Sequence, residues 1–271
     1  RRSTFQRCEW GIVSSGIESP YTPYNTFTDL NQAPMLASVL TVQDSLIGTV
    51  MNGTTKKMIG ILNENLLQDI TLPKRDLGTI VNAPYYFYDG FSVGTSATFT
   101  ISPGVVCKFG NSKQLIVSRG LQAIGTSGPA NTIVFTSEGD DFYGGDSNAD
   151  GVGVPVGWGG IVFQNAAVDN DCDLVHCAIR YANGTQQAGV TCNSASPSIQ
   201  NCRIQHCFDG VRANLVSNPV INGCDFAQIS NYGVRNVGQA FTINATGNWW
   251  GGGAPPVAVS TETQVGITTF V

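Results

Sequence analysis

The segment Asp146-Ser147-Asn148-Ala149-Asp150-Gly151 carries the clearest chemistry in the sequence. Oxygen ligands at alternate positions, closed by a glycine turn, match the first half of a calcium loop. Asp140 and Asp141 lie just upstream and add carboxylates. The expected metal ligands are therefore Asp140, Asp141, Asp146, Asn148 and Asp150, holding a structural calcium ion that neutralises them and orders the loop. The match is incomplete, because the twelfth position, a glutamate in an EF-hand, is Gly157 here. The alternative is an Asx-rich turn that caps a long surface loop. A second acidic run, Asp169 to Asp173, reads as a solvated loop.

Other reactive side chains form no comparable set. His176 and His206 have no arrangement with Ser or Cys that makes a catalytic group, so both are expected to pack or cap. The eight cysteines include no Cys-x-x-Cys pair, which leaves no zinc spacing. Arg180, Arg203, Arg212 and Arg235 suggest a row on a carboxylate-free face able to hold an acidic sugar, against the plainer reading of exposed strand residues. Tyr21, Tyr24, Tyr85, Tyr86 and Tyr88 could make a sugar-stacking platform; strand alternation puts Tyr86 and Tyr88 on one face, as the glycan contacts. The plainer alternative is aromatic residues covering a core. Asn52, Asn183 and Asn244 each open an Asn-x-Thr glycosylation triplet.

The elements that must position these residues are legible in an internal repeat. Pro197, Ile199, Cys202, Ile204 and Gly210-Val211 are followed by Pro219, Ile221, Cys224, Phe226 and Gly233-Val234, offset by 22 or 23 residues. Cys177, Ile179 and Gly189-Val190 fit one unit earlier, and Gly160-Ile161 begins a further copy. At the N-terminus, Phe5, Cys8 and Gly11-Ile12 line up with Ile204, Cys207 and Gly210-Val211. Apolar residues alternate over three to five positions between Gly, Asn, Pro and Ser, which predicts short strands with one buried face. A period of about 22 is too short for a propeller blade and suits one coil of a parallel β-helix, giving about twelve coils. Cys177, Cys202 and Cys224 then form an interior ladder, as buried thiols or as a cross-coil disulfide.

Several segments resemble the secreted right-handed parallel β-helix repeat proteins, pectate-lyase-like, of large bacterial and archaeal surface polypeptides. The resemblance rests on Phe99 to Phe109, on Ile133 to Ser137, on Gly157-Trp158-Gly159-Gly160-Ile161, on the 22-residue coils and on Asn248-Trp249-Trp250-Gly251. It covers roughly Asn82 to Gly253. It implies an all-β, right-handed parallel β-helix. Residues 1–40 would be coils like the end of a preceding module, 41–95 irregular connecting strands where the template lapses, 96–253 the main module, and 254–271 a C-terminal strand or connection. The start at Arg1-Arg2-Ser3, without Met, fits a processed or excised piece. The enzymes of this architecture use clustered Asp with Lys or Arg, or Asn-Thr-Asp and Gly-His-Gly segments. Neither of those segments occurs here. The expectation is a non-catalytic structural or adhesive module, extracellular or on the cell surface, stacking head-to-tail on neighbouring modules or on further copies of itself. The alternative is a carbohydrate-binding or polysaccharide-lyase-like domain with glycan partners.

Composition agrees with a stacked solenoid. Charged residues are only 12% of the chain, and like charges on adjacent rungs repel. A net charge of −5 disfavours a nucleic-acid partner. No apolar run reaches the ~18 residues of a membrane span. The 32 glycines are expected at coil corners.

Overall fold

The computed structural model describes residues 2–15, 24–41, 48–184, 187–237, 242–251 and 265–266. The chain is an all-β parallel solenoid; its one helical element among the described residues is a single 3₁₀ turn at Asp169–Asp171. No described helix is long and apolar enough to cross a membrane.

From Asn65 to Ala227, each turn contributes three strands, one to each of three parallel sheets that count seven, six and nine strands among the described residues. One such turn is Phe91–Val93, Thr98–Ile101 and Val106–Phe109; a later one is Ala188–Asn193, Ser198–Gln200 and Arg203–Gln205. Before Asn65 the turns are simpler: Thr4–Gln6, Thr26–Thr28 and Val50–Asn52 form a separate three-stranded sheet, and their partners Ile12–Ser14, Met35–Ala37 and Ile59–Ile61 join the nine-stranded one. The cross-section thus changes within residues 41–95, where the sequence template lapses, while the nine-stranded sheet runs through.

That sheet carries an interior ladder of Ile12, Met35, Ile59, Tyr85, Cys107, Phe135, Ile179, Ile204 and Phe226. Trp250 adds a further rung, stacked on Phe226 at 4.7 Å between ring centroids. Among the described residues these strands make about nine turns, where the period suggests about twelve. Partners on this ladder are 22 to 28 residues apart except for one step of 44, from Phe135 to Ile179, which holds a long insertion.

The Gly-apolar pairs of the repeat form one ladder on the seven-stranded sheet, through Ile161, Val190, Val211 and Val234. Their glycines are required by close approach: a Cβ at Gly210 would overlap the Gly233 carbonyl, and one at Gly160 the Ala188 carbonyl. The N-terminal alignment is corrected. Ile12 shares its ladder with Ile204, not Val211, and Phe5 lies in the three-stranded sheet. The same apolar–Cys–Gly–apolar spacing serves any strand–corner–strand step, so it does not specify which corner. Corners also rely less on glycine than composition suggests. His176, Asn201 and Gly223 stack in the left-handed region at one corner, and Tyr181, His206 and Gln228 at the next.

Cys177, Cys202 and Cys224 occupy adjacent rungs, as the repeat predicts. All eight cysteines are free thiols, seven of them buried and Cys8 exposed.

Candidate functional site

The outer face of the nine-stranded sheet presents the column Tyr86, Lys108, Thr136 and Arg180, each one residue after an interior rung. Pleating should put these side chains in water. They are buried instead, because the insertion that starts at Glu138 crosses over them as a strap before Trp158 re-enters the core.

Three cations pin the strap. Lys108, fully buried, donates from Nζ to Ser147 Oγ at 2.6 Å, to the Asp140 carbonyl at 3.0 Å and to the Gly145 carbonyl at 3.3 Å. Burial pushes its ammonium down to about 8, against the opposing pull of Asp140, Asp141, Asp146 and Glu138. Arg180 pairs with Asp140 at 3.0 Å, and its guanidinium lies 4.9 to 5.3 Å from the ring centres of Phe142, Tyr143 and Tyr181. At the other end Lys56 bonds Glu138 at 2.6 Å and lies over the Tyr86 ring at 4.6 Å. Burial, then Glu138, push the Tyr86 hydroxyl well up. Tyr143 covers a small outer apolar cluster of Val106, Val134 and Ala178.

This arrangement sorts the expected calcium ligands. Asp140 is buried and already saturated: it accepts from Thr136 Oγ1 at 2.7 Å, from Phe142 N at 3.1 Å and from Arg180. It serves as the anchor of the strap. Asp150 accepts from Val152 N at 2.9 Å and from Asn148 Nδ2 at 2.6 Å, an Asx turn of the kind the alternative reading described. Asp141 Oδ1, Asp146 Oδ1 and Asn148 Oδ1 are buried and have no hydrogen-bond partner. Burial, then Asp146, raise the Asp141 carboxyl. Among the described residues no three His, Cys, Asp or Glu side chains gather closely enough to hold a metal ion.

The arginine row is corrected. Its face is not free of carboxylate. Arg180 pairs with Asp140, Arg203 with Asp225 at 3.8 Å, and Arg212 and Arg235 both pair with the buried Asp209. The four also divide between two sheets. Tyr86 is buried and unavailable to a glycan; Tyr88, its edge-on neighbour at 6.2 Å, is 37% exposed and packs on Trp10. Tyr85 lies inside the coil, Tyr24 is exposed, and Tyr21 lies outside the described residues. Asn52, Asn183 and Asn244 are all exposed, although Thr185 of the second triplet lies outside the described residues. His206 stacks on Tyr181 at 4.6 Å, a packing role. His176 lines a cleft of about 270 Å³ with Tyr143, Asn201, Arg203 and residues of the 127–132 loop.

No family model matches the chain, and no curated protein or solved structure is significantly similar to it.

Proposed function

We propose that the chain is a non-catalytic structural or adhesive solenoid module of an extracellular or cell-surface protein, of the secreted kind its motifs resemble. The observation that supports this best is the disposition of charge. Lys56, Lys108, Arg180, Arg203, Arg212 and Arg235 all bond within the protein, and the longest described insertion covers a sheet face. Each of these cations is engaged in a structural contact, Lys108 through Ser147 and two backbone carbonyls and the others through carboxylates. Regular rungs extend by adding rungs, so neighbouring modules or further copies of the chain are the fitting partners. Sedimentation and electron microscopy over a concentration series test this. Regular fibres or end-to-end oligomers are expected, and a particle that stays monomeric throughout and adheres to no cell surface refutes it.

Structural calcium at the strap belongs to the same proposal. Its support is the trio of unpartnered oxygens on Asp141, Asp146 and Asn148, which the ion would draw together. Excess chelator should lower the melting temperature and added calcium restore it; an unmoved melt rejects the ion.

The alternative is a carbohydrate-binding or lyase-like domain. It is favoured by the cleft that joins Tyr143 with Asn201, Arg203 and His176, a stacking ring beside polar donors. Glycan-array hits lost on Tyr143→Ala would decide for it.

A further inference from the structure

We propose that Cys202 and Cys224 are an oxidisable thiol pair, able to close a disulfide between the last two turns of the nine-stranded sheet while Cys177 stays a free thiol. The inference is independent of the proposed function.

The geometry is set by register. Ala178 faces Arg203 and Arg203 faces Asp225, so the residues one position earlier, Cys177, Cys202 and Cys224, stack as neighbours. Adjacent parallel strands lie about 4.8 Å apart. That falls inside the ~4.4–6.8 Å Cα separation of a disulfide. The three thiols also point the same way. Each bonds the carbonyl two residues upstream and a carbonyl of an earlier turn: Cys202 to Gln200 and Leu174 at 3.3 and 3.2 Å, Cys224 to Asn222 and Ile199 at 3.5 and 3.4 Å, Cys177 to Val175 and Ala123 at 3.6 and 3.3 Å.

Cys202 can bond only one of its two neighbours, and topology makes the choice. Cys177 lies between the rungs of Ile133 and Cys202, inside the stack. Cys224 precedes Asp225–Ala227, the last strand of that sheet. Beyond it the described contacts are the Asp225–Trp249 bridge and a latch by Asn248, which accepts from Cys224 N at 2.8 Å and donates to the Ile221 carbonyl at 3.0 Å. Burial pushes the Cys202 thiol up, and its contact with Cys202 together with burial does the same to Cys224. Neither is a nucleophile while the turn is closed. Attack therefore waits for local opening, and for Cys224 the contact that must open is the Asn248 latch. With a diazene oxidant such as diamide, two S–H bonds break and one S–S bond forms. The N=N bond accepts the two electrons and two protons and becomes a hydrazine.

The test uses the full chain carrying Cys8→Ser, which removes the exposed thiol. After diamide, alkylation of the denatured protein and digestion without reductant, one linked peptide joining Cys202 to Cys224 is expected, with Cys177 alkylated. The melting temperature should rise and return on adding dithiothreitol. Cys177→Ser should keep the product. Asn248→Ala should speed its formation several-fold, a readout that needs no cysteine change. A Cys177–Cys202 link, or full alkylation of all three thiols after prolonged oxidation, overturns the proposal.

Discussion

Replacing Asp140 by alanine attacks the strap at its anchor. The Asp140 and Arg180 side chains are 3% and 9% exposed, so the carboxylate leaves behind a guanidinium that is almost dry. Arg180 Nε already lacks a partner, and the Thr136 hydroxyl loses its acceptor. Removing one member of a buried pair costs about 3–5 kcal/mol. The strap sets a ceiling on that loss, because it can peel away and let water reach Arg180. The low end, about 3 kcal/mol, is therefore expected, and at ~2–4 °C per kcal/mol the melting midpoint falls by roughly 6–12 °C. Calorimetry reads the midpoint, and limited proteolysis reads the peeling as new cleavage within residues 141–156. Combining Asp140→Ala with Arg180→Met should recover part of the loss, since the stranded charge is then gone. A single mutant that melts within about 2 °C of the parent and keeps its strap resistant to protease would refute the anchoring role.

Lys108 makes stability depend on alkaline pH. Its ammonium ionises at about 8 in the fold against 10.5 in the unfolded chain, so between those values the unfolded state binds more protons. The contribution is fully present above the unfolded value and is lost as pH falls through about 8, a change of about 3 kcal/mol across the window. Urea midpoints of Lys108→Met, taken relative to the parent between pH 7 and 10.5, should lack that rise; parallel curves contradict it. Gly210→Ala would push a Cβ into the Gly233 carbonyl, so the last turns should lose their register and hydrogen-exchange protection, whereas unaltered protection refutes the glycine requirement. Ile204→Ala, at a fully buried rung, should cost ~2–5 kcal/mol in denaturant unfolding.

The repeat was readable because stacking demands the same residue at the same rung: the cysteine, isoleucine and Gly-Val columns fall in register as the spacing predicts. Two things escaped it. The first is which corner a local pattern belongs to: the spacing places Phe5 to Ile12 a corner too far along, because every corner needs similar chemistry. The second is the strap. Lys108 sits between Cys107 and Phe109 in an otherwise apolar strand, which signals only an outward side chain. Its burial comes from residues 32 to 39 positions downstream, and no period announces such a contact. Asp140 was legible as an acid but not as Arg180's partner, because 40 residues separate them. The spacing thus picked out residues 140–150 as one acidic segment, and the contacts that tie this segment to Lys108 and Arg180 lay beyond any local pattern.

The scarcity of charge in the composition acquires a mechanism at the places where charge is kept. Strand neighbours Arg203 and Asp225 share a rung with opposite signs, and Gln122 bonds Asp173 across another at 3.0 Å. Asparagine solves the same problem without charge, Asn214 Nδ2 donating to Asn193 Oδ1 on the next rung at 2.8 Å. The exception is Arg212 directly beside Arg235, a like-charged pair that should destabilise the sheet. There the fold places Asp209 beneath both, its carboxylate fully buried, and Asn231 and the Tyr232 N–H complete its shell at 2.7 and 3.3 Å. One buried acid thus compensates two stacked cations. The strap applies the same device to Arg180, with Asp140 supplied by an insertion rather than by a corner. Both carboxylates hold rungs together, so their placement follows from the stacking itself, and a solenoid that must fix each outward cation in this way has little reason to carry many.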